Sequence, residues 1–137
     1  MNYVLDTNII SALMKNDGKL KRKLQVVTLR GSEIFINGIS YYEIKRGLLA
    51  ANATKKLKIF DEICKKLKLI LLDSKHIFNK ASEIYASLKR GGELIPDADI
   101  LIAAMVLVQD FVLVSDNTAH FQRIKELALE NWLREEL

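Results

Sequence analysis

Five carboxylates in this sequence stand where short apolar runs end or apolar helices begin. Asp6 closes "YVLD", Glu43 lies in "SYYEIKRGL", Asp97 and Asp99 sit in "PDADILIAAM", and Asp116 closes "FVLVSD". Two carboxylates within about 4 Å repel by about 4 kcal/mol at an effective dielectric near 20, so a cluster of them needs protons or a cation. Oxygen-only ligands around an open site suit Mg²⁺ or Mn²⁺, which keep several waters and accept a phosphate oxygen. A zinc site would recruit His or Cys, and the two histidines, His76 and His120, have no ligand spacing. Each acid also has an ordinary role at a helix end. Asp6 can accept from the amides of the next turn, Glu43 can complete a capping box with Ser40, Asp97 can be an N-cap, and Asp99 can answer the helix dipole. The two roles are compatible, because a helix start can hold a carboxylate that a metal then uses.

The elements around these acids decide whether they meet. "YVLD" followed by "NIISALMKN" reads as strand, turn and helix, with apolar residues at Ile9, Ile10, Leu13 and Met14. "KLKRKLQVVTL" reads as a second helix, "EIFING" as a strand, and "SYYEIKRGLLAA" as a helix opened by Ser40. "TKKLKIFDEICKKLK" has helical spacing, "LILLD" reads as a short buried strand, and "KHIFNKASEIYASLKR" reads as a helix stopped by Gly91 and Gly92. Pro96 disfavours helix at Ile95, so the next helix is expected at or after Asp97. "FVLVSD" is then a strand, and a short helix and an edge strand are expected in "HFQRIKELALENWL". Strands alternating with amphipathic helices predict an α/β fold with a mainly parallel sheet covered on both faces. Ligands bind outside the carboxyl ends of such strands, the edge where these acids belong.

With 137 residues, half of them hydrophobic and only one a proline, the chain is expected to form a single domain over 1–137. Its longest apolar run, Ile100 to Val108, is shorter than the roughly 20 residues of a membrane span. The first ten residues reach an acid before any apolar core forms, so no secretion signal and a cytoplasmic location are expected. Cys64 is the only cysteine and reads as a packed core thiol. The net charge is +4, with lysines grouped in "KNDGKLKRK" and "TKKLK" and an acidic lean in "ELALENWLREEL". That asymmetry is compatible with a polyanionic partner.

Taken together, "YVLDTNIISALM", "SYYEIKRGL", "PDADILIAAM" and "LVSDNTAHF", closing with "LENW", resemble the PIN-domain ribonucleases, in particular the VapC-type toxins of toxin–antitoxin pairs. The blocks run in the family's order from near the first residue to near the last. The resemblance implies a PIN-like three-layer α/β/α sandwich and a metal-dependent endoribonuclease cutting RNA with Mg²⁺ or Mn²⁺. It maps the family's acids onto Asp6, Glu43 and Asp99 as metal ligands, with Thr7 and Asn8 as supporting polar residues and Asp97 as an extra carboxylate. For the fourth position it leaves two candidates, Asp116 and Asn117, with Ser115 standing where the family has Thr. It further implies a cognate antitoxin and a homodimer. Lys45 and Arg46 are candidates for contact with the RNA backbone, and Tyr41 or Tyr42 for stacking on a base.

Two other function classes compete. A phosphotransfer domain with Asp6 as nucleophile would want a second acid two residues on, where Asn8 stands, or paired acids before its phosphoacceptor. A catalytically silent RNA-binding module would keep the fold without needing intact acids.

Overall fold

A computed structural model describes residues 1–134. The elements are β1 (Tyr3–Leu5), α1 (Thr7–Met14), α2 (Gly18–Leu29), β2 (Ile34–Asn37), α3 (Gly38–Ala50), α4 (Thr54–Lys65), β3 (Lys68–Ile70), α5 (Lys75–Arg90), α6 (Asp97–Gln109), β4 (Val112–Val114), α7 (Thr118–Phe121) and β5 (Leu129–Glu130). All strands pair in parallel, in the order β3-β2-β1-β4-β5. The acidic C-terminal stretch read from the sequence continues into residues 135–137, which lie outside the described residues.

Strands this short depend on what covers them. Leu5, Ile36 and Val114 face a core built with Ile9, Ile10, Phe60 and Trp132, on the side of α1 to α4. Val4 and Leu113 face the opposite core, with Ile77, Ile84, Ile102 and Met105 from α5 and α6. The alternation along each strand therefore yields three layers, α/β/α. Fully burying a side chain such as Ile102 or Met105 contributes roughly 1.5–3 kcal/mol. Helix α6 is buried at Ile100 and at every residue from Ile102 to Val106, which explains why its sequence is apolar all round.

The expected helix start at Asp97 is observed, and α6 ends at Asp110 in the left-handed region, φ 57°. Helix α5 stops where the glycines predicted it, with Gly91 as C-cap and Gly92 at φ +68°, a conformation that favours glycine. Three local expectations are corrected. Ser40 does not open α3; Asn37 caps it from the last position of β2, its side chain accepting from the Ser40 N–H at 2.8 Å. Asparagine is among the best N-caps, so the chain passes from strand to helix without a loop, and Glu43 falls in the second turn. Likewise, Pro96 rather than Asp97 holds the N-cap position of α6. The "LILLD" stretch is not a buried strand: β3 covers Lys68–Ile70 at the sheet edge, and Leu69 and Leu71 are exposed there.

Register sets the functional edge. Leu5 is level with Ile36 and with Val114, so the residues that follow, Asp6, Asn37 and Ser115, emerge side by side. Strand order reverses between β1 and β4, and in open parallel sheets the ligand crevice lies at that switch point.

Candidate metal centre at the carboxyl edge

Asp6 follows β1 directly, at the N-cap position of α1 on the floor of this crevice, with only 5% of its surface exposed. Its Oδ2 accepts from Ser115 Oγ at 2.8 Å and from Asn8 Nδ2 at 3.3 Å. Burial pushes its pKa up, as do the charges of Asp99 and Glu43, against the lowering effect of the Ser115 and Thr7 hydrogen bonds. Asp6, Glu43 and Asp99 thus share one electrostatic neighbourhood although they come from the β1–α1 junction, α3 and α6.

Each of the other two acids is held by a neighbour. Glu43 Oε1 lies 3.3 Å from Thr7 Oγ1, which is also 2.9 Å from Ser40 Oγ. Ser40, fully buried, accepts from Asn37 Nδ2 at 2.9 Å, so the cap of α3 and the support of Glu43 are one network. Asp99 Oδ2 lies 2.8 Å from His120 Nδ1 and 3.4 Å from Asn117 Nδ2. Asn117 Nδ2 also lies 3.0 Å from His120 Nδ1, so Asp99, Asn117 and His120 form one group of mutual polar contacts.

Asn8 ties the two central strands together. Its Oδ1 accepts from the Asp116 N–H at 2.9 Å while its amide group donates to Asp6. Asn117 N–H donates to Ser115 Oγ at 2.9 Å, which aims that hydroxyl at Asp6.

The remaining predicted residues go elsewhere. Asp116 Oδ1 accepts from Asn131 Nδ2 at 2.9 Å and from Arg134 Nε at 3.0 Å, and these two donors hold its carboxyl below the usual range. Between the two candidates for the fourth position, the side chain that reaches Asp99 is that of Asn117. Asp97 is exposed and lines a shallow hollow with Phe78, Tyr85 and Leu101, on the outer face of α5 and α6. Two residues along a helix turn a side chain by about 200°, so Asp97 and Asp99 face apart. Lys45 pairs with Asp61 at 3.7 Å and sits over Tyr41, and Arg46 stacks on Tyr42, so both are engaged along α3 and α4. Tyr41 packs on Phe60, while Tyr42 is exposed. Cys64 packs against the core, and burial raises its thiol pKa, in keeping with an inert packing role.

Sequence reading missed Asn37 and His120. Asn37 was readable as an N-cap, since it stands between an apolar strand and a helix. His120 carried a weaker signal, lying three residues after Asn117 in the same turn.

Comparison with known proteins agrees with this architecture. Residues 3–127 match the family model of the PIN domain. The chain is 32% identical over 127 residues to Ribonuclease VapC1 of Methanocaldococcus jannaschii, covering 93% of this chain and 84% of that protein. It is 28% identical over 135 residues to Ribonuclease VapC1 of Haemophilus influenzae, covering 98% and 100%. Among solved structures, VapBC2 from Rickettsia felis, bound to a DNA fragment from its promoter, superposes with a TM-score of 0.90 at 27% identity, covering 96% and 99%. VapBC-1 from Haemophilus influenzae gives a TM-score of 0.86 at 27% identity, covering 98% and 100%.

Proposed function

This chain belongs to the PIN-domain family, and we propose that it is a VapC-type endoribonuclease, dependent on Mg²⁺ or Mn²⁺, that hydrolyses RNA phosphodiester bonds as the toxin of a toxin–antitoxin pair. The carrying observation is that Asp6, buried at the carboxyl edge of the sheet, is linked through Ser115 and Asn117 to Asp99 and is followed by Thr7, which reaches Glu43. No lysine or arginine pairs with any of the three among the described residues.

This donor set fits a hard divalent cation. It is built of oxygens, carries excess negative charge and lies at the switch point of the sheet. Among the described residues no group of three or more His, Cys, Asp or Glu side chains is drawn together closely enough to hold an ion by itself, so waters would complete the shell of an ion there. Asp6, Glu43 and Asp99 would hold the ion, directly or through water. When bound, it supplies a lowered pKa for water and offsets charge on the scissile phosphate. The chain's own residues do the rest. Ser115 and Asn8 fix the Asp6 carboxylate, Thr7 and Ser40 fix Glu43, and Asn117 serves as the fourth site residue beside Asp99. One carboxylate of the cluster takes the proton of the attacking water.

These solved relatives are VapBC complexes, and a cognate antitoxin is the partner we assign to this chain, together with a second copy of itself. No helix among the described residues is long and apolar enough to cross a membrane, and with RNA as the substrate the cytoplasm is the location we propose. The test is cleavage of total cellular RNA by the purified protein with Mg²⁺ or Mn²⁺. Discrete fragments that vanish with EDTA and in Asp6→Asn support the proposal. Cleavage that survives the substitution sinks it, and binding without cleavage returns the chain to the silent RNA-binding class.

A further inference from the structure

Beside the acid cluster, a groove of about 360 Å³ opens between α1, α3 and α4, at the small end of the roughly 300–1,000 Å³ typical of small-molecule sites. Its floor is apolar: Met14, Ile44 and Leu48. Its rim carries two cations, Lys15 at the end of α1 and Lys56 in the first turn of α4. Its inner wall is shared with the site, because Thr7 and Glu43 line it too. Neither Lys15 nor Lys56 has a carboxylate partner among the described residues, whereas Lys45 pairs with Asp61.

This combination matches one nucleotide of a single strand. A nucleobase offers a flat apolar face to aliphatic and thioether groups, and a thioether against an aromatic ring contributes roughly 0.3–1.5 kcal/mol. The phosphates of the same strand need cations outside the groove, since the wall toward Glu43 is acidic. Resting on the ribonuclease reading above, we propose that this groove is a nucleotide subsite. It seats the base of a nucleotide flanking the scissile phosphate on Met14, Ile44 and Leu48, with the adjoining backbone phosphates against Lys15 and Lys56. The two rim lysines, neither with a carboxylate partner among the described residues, suit a polyanion, so charge complementarity favours RNA over an apolar peptide as the occupant.

Gly47 provides a way to close the groove without disturbing the fold. It lines the groove from the middle of α3, and a Cβ built there meets nothing within 4 Å. Gly47→Met should therefore project into the groove while replacing a residue that disfavours helix. The experiment measures binding of a short fluorescent single-stranded RNA by anisotropy in EDTA, at several salt concentrations, so it reads the subsite whether or not the wild-type protein cleaves. The variants are Gly47→Met, the pair Lys15→Gln and Lys56→Gln, and a charge-matched control pair, Lys89→Gln and Arg90→Gln at the end of α5. Melting temperature is checked for each.

The expected result is a loss of affinity of about tenfold in Gly47→Met with no fall in melting temperature. The lysine pair should flatten the salt slope by about 1.4, from about 0.7 per phosphate contact on a single strand. The control pair should change the slope much less. Equal slopes for the two pairs, or unchanged affinity in a folded Gly47→Met, would overturn the subsite and leave the groove to a protein partner. Absent cleavage by the wild type, with these binding effects intact, would count against the ribonuclease reading alone.

Discussion

Asp6 and Asp116 look alike in sequence, and the molecule uses them in opposite ways. Each is an aspartate just after an apolar strand, and the two strands are hydrogen-bonded neighbours at one sheet edge. Asp6 is buried, stands among other acids and is pushed up in pKa; Asp116 is tied to Asn131 and Arg134 and is pushed down. The difference is one register step. Ser115, not Asp116, is level with Asp6, and successive residues of an extended chain point to opposite sides. What a terminal acid does here depends on its parity along the strand, not on its residue type.

The largest effect that could break this comparison is on catalysis. Asp6→Asn is expected to lower RNA cleavage by at least about 100-fold, with a melting temperature no lower than wild type, because it removes a buried charge from an acidic neighbourhood. Cleavage assays paired with thermal denaturation check both halves. Asp99→Asn should remove most cleavage, and Asp97→Asn should do less, because Asp97 faces the outer hollow instead of the cluster; equal losses in parallel kinetics would contradict that division. Next in size, Asn37→Ala should destabilise the fold by about 1–2 kcal/mol in urea denaturation, since it removes a helix cap. It should also weaken cleavage, since Ser40 and through it Thr7 and Glu43 lose a fixed neighbour.

The smaller effects concern Asp116 and pH. Asp116→Asn removes an exposed pair and should lower stability by less than about 1 kcal/mol. The two aspartates should also respond to pH with opposite signs. The folded state holds the Asp6 proton more tightly than the unfolded chain, so this group lowers stability as pH rises from 3.8 through its raised value. Asp116 stabilises above 3.8, and its contribution is lost as pH falls through its lowered value. Melting curves in EDTA should therefore show the gap between Asp6→Asn and wild type widening from pH 3.5 to pH 7. A gap that narrows over that range would contradict the assignment.

Much of this arrangement was legible in the residues. Apolar strands closed by acids and alternating with helices announced a parallel sheet and the edge where Asp6, Glu43 and Asp99 gather. The proline at 96 marked the start of α6, and the glycines at 91 and 92 marked the end of α5. What escaped was set by tertiary register and side-chain direction. Ser40 and Glu43 satisfied the spacing of a capping box, yet Asn37, already level with Asp6 on the neighbouring strand, took the cap. The choice between Asp116 and Asn117 depended on which of them shares a side with Asp99. Lys45 and Arg46 had the right charge, but only packing reveals that Asp61 and Tyr42 engage them while Lys15 and Lys56 stand at the groove.

The most direct test of the proposed centre is calorimetric titration of Mn²⁺ into the wild-type protein, Asp6→Asn and Asp116→Asn, each checked for folding. Binding that persists in Asp116→Asn within about threefold of wild type and disappears in Asp6→Asn is the predicted result. An Asp116→Asn protein that loses Mn²⁺ as completely as Asp6→Asn, or an Asp6→Asn protein that still binds it, would contradict the account.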